Sequence, residues 1–151
     1  MTIQIDTREK EKAIDKIIFE LEKQGIDYVS SKLYVGDYMN FDNPRLVIDR
    51  KQNLNELCSN VCQQHKRFRN ELIRAKEHNI KIIILCEHGG TIKSLEDVKL
   101  WENPRLKKSP NAITGERLYK VLITIKEKYN IDFDFCEKPE TGGKIIEILG
   151  G

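Results

Sequence analysis

The chain has 151 residues, of which 33% are charged and 39% hydrophobic, and its formal net charge at pH 7 is +2. This composition excludes an intrinsically disordered chain, and we expect residues 1–151 to form one globular domain. No apolar run approaches the roughly 20 residues that a spanning helix needs, and no secretory signal opens the chain, so no membrane role is expected. We therefore expect a cytoplasmic protein, or one in the host cytoplasm if the source is viral.

The first third of the chain alternates between predicted strands and a helix. Apolar alternation predicts a strand over 2–6, and apolar residues at helical spacing predict a helix over 13–21 that Gly25 ends. Residues 27–34 and 37–49 are predicted to be antiparallel strands. The turns expected around these two strands are at Gly36 and at Asn43-Pro44.

The remaining elements alternate in the same way. They are predicted to be helices at 53–62, 64–78, 115–129 and 139–149, with strands at 80–86 and 131–136. The continuous apolar run from Ile82 to Leu85 fits a strand covered on both faces, so we expect it at the buried centre. Residues 102–113 are the one expected mobile loop. These elements predict an α/β sandwich.

Two acids and a lysine surround the predicted hairpin. Asp37 follows Gly36 at a turn, Asp49 closes an apolar run, and Lys51 lies two residues on, so Asp49 and Lys51 share one face of their strand. Carboxylate oxygens suit Mg²⁺ or Mn²⁺, and a nearby lysine can orient water or neutralise charge on a phosphate. The pattern indicates metal-assisted phosphodiester hydrolysis.

The spacing is that of the loose PD-(D/E)XK nuclease pattern, and the acid-any-lysine triplet occurs twice. The second copy, at Asp97-Val98-Lys99, follows Ser94, which resembles a helix-starting capping box. We therefore interpret Asp97 as a structural acid at a helix start, and only the copy at Asp49 as part of a site.

Three motifs stand in a fixed order along the chain. Asp6-Thr7-Arg8-Glu9 follows the first strand, Gly36-Asp37-Tyr38 forms the turn, and Asp49-Arg50-Lys51 ends the hairpin. Together with Pro139-Glu140-Thr141 before the final helix, they resemble the XPF-type nuclease family over the whole chain. The resemblance implies a restriction-endonuclease-like three-layer α/β sandwich, with a mixed central sheet flanked by helices.

The resemblance also implies an activity. We expect a structure-specific DNA endonuclease of repair or recombination, dependent on Mg²⁺ or Mn²⁺, that cuts flaps or branched junctions and forms a homodimer. No helix-hairpin-helix domain is expected within the chain. Two alternatives remain open: a nuclease that resolves four-way junctions or cuts duplex DNA, and a DNA-binding partner subunit without catalysis.

The resemblance and the chemistry together assign roles to individual residues. Asp37 and Asp49 are expected to hold the metal, with Asp6 as a further ligand. The Arg50 carbonyl is expected to help, and Lys51 to orient the attacking water. The supporting residues are expected to be Arg8, Glu9 and Asn55.

Two positions depart from the family pattern. Asp49 stands where glutamate is usual, and Asn55 stands where the last motif has an aspartate. An amide supplies no negative charge but can orient neighbours through hydrogen bonds, and we expect activity to survive. Arg8 and Glu9 are expected to pair with each other or to brace the site.

Basic residues cluster in the predicted helix over 64–78. Lys66, Arg67 and Arg69 are the expected contacts to DNA phosphates, although such a helix face is also often only solvated. Glu71 is expected to form ion pairs with basic residues along that helix. The four cysteines show no paired CxxC spacing, so small buried side chains are favoured over a metal site.

Overall fold

The computed structural model describes residues 1–63 and 65–150, and these form a six-stranded sheet between two layers of helices. The strands are β1 (Thr2–Ile5), β2 (Asp27–Ser30), β3 (Tyr38–Asn40), β4 (Asn43–Lys51), β5 (Lys81–Glu87) and β6 (Asp132–Cys136). The helices are α1 (Asp15–Lys23), α2 (Leu54–Cys62), α3 (His65–Glu77), α4 (Gly115–Tyr129) and α5 (Thr141–Gly150). The predicted helix over 64–78 is thus found as α3, and its first residue, Gln64, lies outside the described residues.

The strand order is β2-β1-β3-β4-β5-β6, with antiparallel pairing on both sides of β3 and parallel pairing elsewhere. The predicted mixed α/β three-layer sandwich is confirmed. The predicted β3–β4 hairpin is also found, with Tyr38 opposite Ile48, but its turn lies at residues 41–42, and the predicted turn residues Asn43 and Pro44 begin β4. This register sets Asp37 beside the end of β4 that carries Asp49.

The predicted antiparallel pairing of residues 27–34 with the hairpin is wrong. The strand ends at Ser30, pairs in parallel with β1, and is separated from β3 by β1. The physical reason is the intervening helix, because a strand-helix-strand unit returns the chain in the same direction. Residues 31–33 then follow the end of β1, where the Ser31 amide donates to the Ile5 carbonyl at 3.0 Å.

Each face of the sheet has its own core. Helices α2, α3 and α4 cover the face that includes Ile82 and Ile84, and α1 and α5 cover the face that includes Leu85. All three strand residues are fully buried, as expected for the centre of the sheet. Ile83 is only half-buried.

The segment 102–113 contains a short 3₁₀ turn at Pro104–Lys107, and the side-chain amide of Asn103 donates to the Ile113 carbonyl at 2.9 Å across it.

A separate property concerns membranes. Among the described residues, no helix combines the length and apolar character needed to cross a bilayer.

Candidate active site

The turn before β3 depends on Gly36. Its φ angle is +77°, and a Cβ atom there would lie 2.9 Å from Cγ2 of Val47. Only glycine fits this close approach without a shift of its neighbours. The Asp37 amide then donates to the Ile48 carbonyl at 2.8 Å, which holds Asp37 against β4.

The structure brings the three predicted charged side chains into one cleft. Asp37, Asp49 and Lys51 line an open cavity of about 270 Å³ on the sheet face covered by α2 and α3. Asp49 is 5% exposed and Lys51 is 8% exposed. The Lys51 Nζ atom lies 3.4 Å from Oδ2 of Asp49, so the ammonium group balances that carboxylate.

The two carboxyl groups repel each other in a poorly solvated place. Burial, followed by the charge of Asp49, holds the pKa of Asp37 well above its ordinary value. Burial opposes the charged form of Lys51, but Asp49 and Asp37 outweigh it and raise the lysine pKa. The cleft therefore has a charged lysine and an acid pair that favours a shared proton or a bound cation.

Arg50 points to the opposite side of the sheet from Asp49 and Lys51. Its guanidinium group donates to Glu9 Oε1 at 2.7 Å, to Glu9 Oε2 at 3.1 Å and to Glu87 Oε1 at 2.5 Å. Thr141 donates its hydroxyl to Glu87 Oε2. The Arg50 amide donates to Asp37 Oδ2 at 2.8 Å, so this buried network fixes the backbone that holds Asp37.

Asp6 lies beside the cleft and does not line it. It is fully buried, and its Oδ1 accepts from the Leu33 amide at 2.8 Å. Its Oδ2 accepts from the amide and from Nε of Arg8, at 3.1 and 2.6 Å. Both oxygens are thus engaged in holding Arg8 and the 31–33 segment, which differs from the expected role as a metal ligand. Arg8 pairs with Asp6 and Glu9 with Arg50, so both brace the site and do not pair with each other.

Helix α2 turns Asn55 away from the cleft. Asn53 caps the helix by accepting from the Glu56 amide at 2.9 Å, and this sets the helical phase. Asn55 lines a separate depression with Cys58 and Cys62, whereas Glu56 lines the cleft. The sequence motifs do not include Glu56. Glu56 and Asn60 are four residues apart on one face of α2, and this spacing could have indicated that both side chains face the cleft.

Glu71 also lines the cleft, whereas its spacing along α3 predicts only ion pairing within the helix. It is half-buried, and burial, followed by the charge of Asp49, raises the pKa of Glu71 to about 7. The sequence contains no signal for this, because only the packing of α3 over the hairpin brings Glu71 to Asp49.

A basic depression of about 640 Å³ continues from the cleft along α3. We call it the α3 groove, and Lys66, Arg67 and Arg74 line it. Arg8 and Arg67 line both the cleft and the groove. Arg69, predicted to contact DNA, is exposed and lines neither.

The donor set of the cleft suits a hard divalent cation. Among residues 1–63 and 65–150, no three histidine, cysteine, aspartate or glutamate side chains converge as a metal-binding group. Asp37 and Asp49 would thus supply two carboxylates, and carbonyl, water or phosphate oxygens the remaining positions, as is usual for Mg²⁺. The convergence of the Asp37 and Asp49 carboxyl groups beside a single ammonium group supports this fit, because a bound cation would offset two negative charges in a poorly solvated place.

Comparisons with known proteins agree with this fold. A search of curated proteins found no significant match. The structure of XPF from Aeropyrum pernix matches with a TM-score of 0.69 and 20% identity, and that of its complex with DNA with a TM-score of 0.69 and 19% identity. Each match covers 99% of this chain, which spans 63% of either matched chain.

A family model extends the agreement from fold to sequence. The model of the ERCC4 domain matches residues 5–149, which include all three motifs and the cleft. The chain therefore belongs to the ERCC4 domain family, the family of XPF-type nuclease domains.

Proposed function

We propose that the protein is a divalent-metal-dependent endonuclease that hydrolyses phosphodiester bonds in DNA at flaps or branched junctions. The observation that carries the proposal is the convergence of Asp37, Asp49 and Lys51 in one open cleft, within a domain of the XPF-type nuclease family. The cleft continues into the α3 groove, whose cationic side chains suit a phosphate backbone.

Each residue of the cleft has a defined part in the proposed reaction. A Mg²⁺ or Mn²⁺ ion held by Asp37 and Asp49, with help from the Arg50 carbonyl, would lower the pKa of a bound water and neutralise charge on the phosphate. Lys51 orients the attacking water and adds positive charge beside the scissile phosphate. Arg50 and Glu9 keep Asp37 in place through the hydrogen bond from the Arg50 amide.

DNA is the proposed partner for two reasons. The α3 groove presents Lys66, Arg67 and Arg74, and one of the matched XPF structures is a complex with DNA.

We also propose that the protein acts as a homodimer through α1 and α5. These helices pack side by side, and Phe19 on α1 is 66% exposed, a large apolar side chain suited to an interface.

The proposal is tested with labelled flap, splayed-arm, four-way and fully duplex DNA in Mg²⁺ or Mn²⁺. The parent is expected to cut near the branch, and Asp37→Ala and Lys51→Ala are each expected to lower the rate at least about 100-fold. The second acid-any-lysine triplet provides the matched control. Asp97 does not line the cleft and accepts a hydrogen bond from the Lys93 amide elsewhere, so Asp97→Ala should cut DNA like the parent.

The substrate panel separates the alternatives. Preferential cutting of four-way or intact duplex DNA would replace the flap proposal with a resolvase-like or duplex-cutting nuclease. Binding without cutting, together with no specific uptake of Mn²⁺ in calorimetry, would indicate a non-catalytic partner subunit. Equal cutting by the parent and both cleft variants would refute the assigned site.

A further inference from the structure

Tyr34 is an exposed aromatic residue on a fixed piece of backbone. It is 56% exposed, whereas its neighbours Leu33 and Val35 are 5% and 1% exposed. The Leu33 amide is held by Asp6 at 2.8 Å. The backbone is thus anchored on both sides of Tyr34, and the ring projects from a rigid support.

Two side chains, Arg74 on α3 and His78 just after its end, contact the Tyr34 ring. The guanidinium carbon of Arg74 lies over the ring at 5.7 Å from its centroid. The His78 ring meets it edge-on, with centroids 5.1 Å apart and planes at 75°. His78 Nδ1 is itself 2.8 Å from the Arg74 carbonyl. The tyrosine is oriented by these contacts yet remains more than half exposed.

The Tyr34 ring is linked to the α3 groove through Arg74, one of the side chains that line it. Arg74 both contacts Tyr34 and lines the groove, while Arg8 lines the groove and the cleft. Tyr34 precedes Asp37 by three residues, so their Cα atoms are at most about 11 Å apart. This upper limit is about the length of three stacked nucleotides along one strand.

We propose that Tyr34, supported by Arg74, is a stacking site for a nucleobase of an unpaired DNA strand leaving the cleft. Exposed aromatic rings bind bases through their faces, with little dependence on sequence, and an arginine beside the ring favours the adjacent phosphate. A paired base stays within its duplex and does not offer a free face. Tyr34 would therefore favour substrates with a single-stranded arm over intact duplex DNA.

This inference rests on the proposed nuclease function and deepens it by naming what selects the unpaired strand. The experiment uses the full chain with Lys51→Ala, so that bound DNA is not cut. The probes are a splayed-arm DNA with 2-aminopurine in one unpaired arm and a fully duplex DNA of the same length.

Replacement of Tyr34 by alanine is expected to weaken binding of the splayed arm about tenfold and to leave duplex binding unchanged. The 2-aminopurine fluorescence, which stacking quenches, should rise in the Tyr34→Ala complex and stay quenched with Tyr34→Phe. The slope of affinity against salt should not change with Tyr34→Ala, because no phosphate contact is lost, whereas Arg74→Ala should reduce it by about 1.

Phe41 provides the matched control. It is 47% exposed and lies in the β3–β4 turn, at the opposite end of β3 from Asp37, so Phe41→Ala should bind both probes like the parent. Equal splayed-arm affinity and equal fluorescence for Tyr34→Ala and the parent would overturn the inference while leaving the nuclease function intact. Equal weakening on both probes would overturn it as well. Failure of the parent to bind or cut any branched DNA would instead remove the function on which it rests.

Discussion

Glu71 is the residue whose protonation links the cleft to the stability of the fold. Its carboxyl group lies half-buried near Asp49, and the pKa of Glu71 is raised from 4.5 to about 7. A carboxyl group of this kind gives its full contribution to stability below pH 4.5 and loses it as the pH rises through about 7.

We therefore expect Glu71→Gln to make the protein more stable only at higher pH. Its free energy of unfolding should match that of the parent near about pH 4 and exceed it by about 1–2 kcal/mol near pH 8, after allowance for solvent screening. Urea denaturation at several pH values measures this. Glu77→Gln, on an exposed part of the same helix, should stay within about 0.5 kcal/mol of the parent throughout. A gain that does not vary with pH would contradict the assignment.

Thr141 supports the site from the other side of the sheet. Its hydroxyl donates to Glu87, which accepts from Arg50, whose amide holds Asp37. Thr141→Val removes the donor at nearly constant volume and leaves a buried carboxylate oxygen without that partner. We expect a loss of about 1–3 kcal/mol in unfolding free energy.

Thr141→Ser is the conservative control, because serine keeps the hydroxyl group. It should recover most of the unfolding free energy that Thr141→Val loses. If valine and serine variants lose equal stability, packing of the methyl group, and not the hydrogen bond to Glu87, is the important contact.

Among single residues, the sequence predicted Asp37, Asp49 and Lys51 better than it predicted their surroundings. Strand alternation directly fixes which side chains share a face, so Asp49 and Lys51 could be paired before any tertiary structure was known. Glu71 could not be found this way, because a glutamate on a charged helix has the same local pattern whether it faces solvent or a cleft.

The Gly36 turn is the element on which the geometry of the site depends. Gly36 and Gly25 have similar positive φ angles, +77° and +69°, but only Gly36 is crowded, because the space around Gly25 is open within 4 Å. Comparing alanine substitutions at these two glycines therefore distinguishes the cost of backbone strain from the cost of steric overlap.

We expect Gly25→Ala to lower the unfolding free energy by about 1 kcal/mol, which is the cost of a left-handed backbone for alanine. Gly36→Ala should lose roughly 2–4 kcal/mol, since overlap with Val47 adds to the strain. Cleavage should fall only for Gly36→Ala, because Asp37 follows it directly. Chemical denaturation and the flap assay measure both effects. Equal losses in the two variants would show that strain alone matters.

At the level of elements, local signals located strands and helices well but did not determine every partner. The β3–β4 hairpin was predictable, because a short turn leaves adjacent strands little choice but to pair. Strand β2 was misassigned since its four residues are all exposed at the sheet edge, so no burial pattern indicates which neighbour it joins. The parallel pairing with β1 depends on how α1 returns the chain.

The proposed homodimer is a property of the whole molecule. Ile145 and Leu149 bury one face of α5 in the core, and Ile146 and Ile148 on the same helix are only partly buried. Light scattering at tens of micromolar should show a dimer for the parent and a monomer for Phe19→Asp, which places a charge in the proposed interface. Phe41→Asp, outside α1 and α5, should remain a dimer. A strict monomer for the parent would refute the proposal.

The anchoring of Tyr34 between two core residues has an evolutionary consequence. Because Leu33 and Val35 determine the path of the backbone, selection can exchange the side chain at position 34 while the domain still folds. On the proposed role of Tyr34, related lineages can change their preference for one nucleic-acid shape over another through this single codon and leave the chemistry of the cleft untouched.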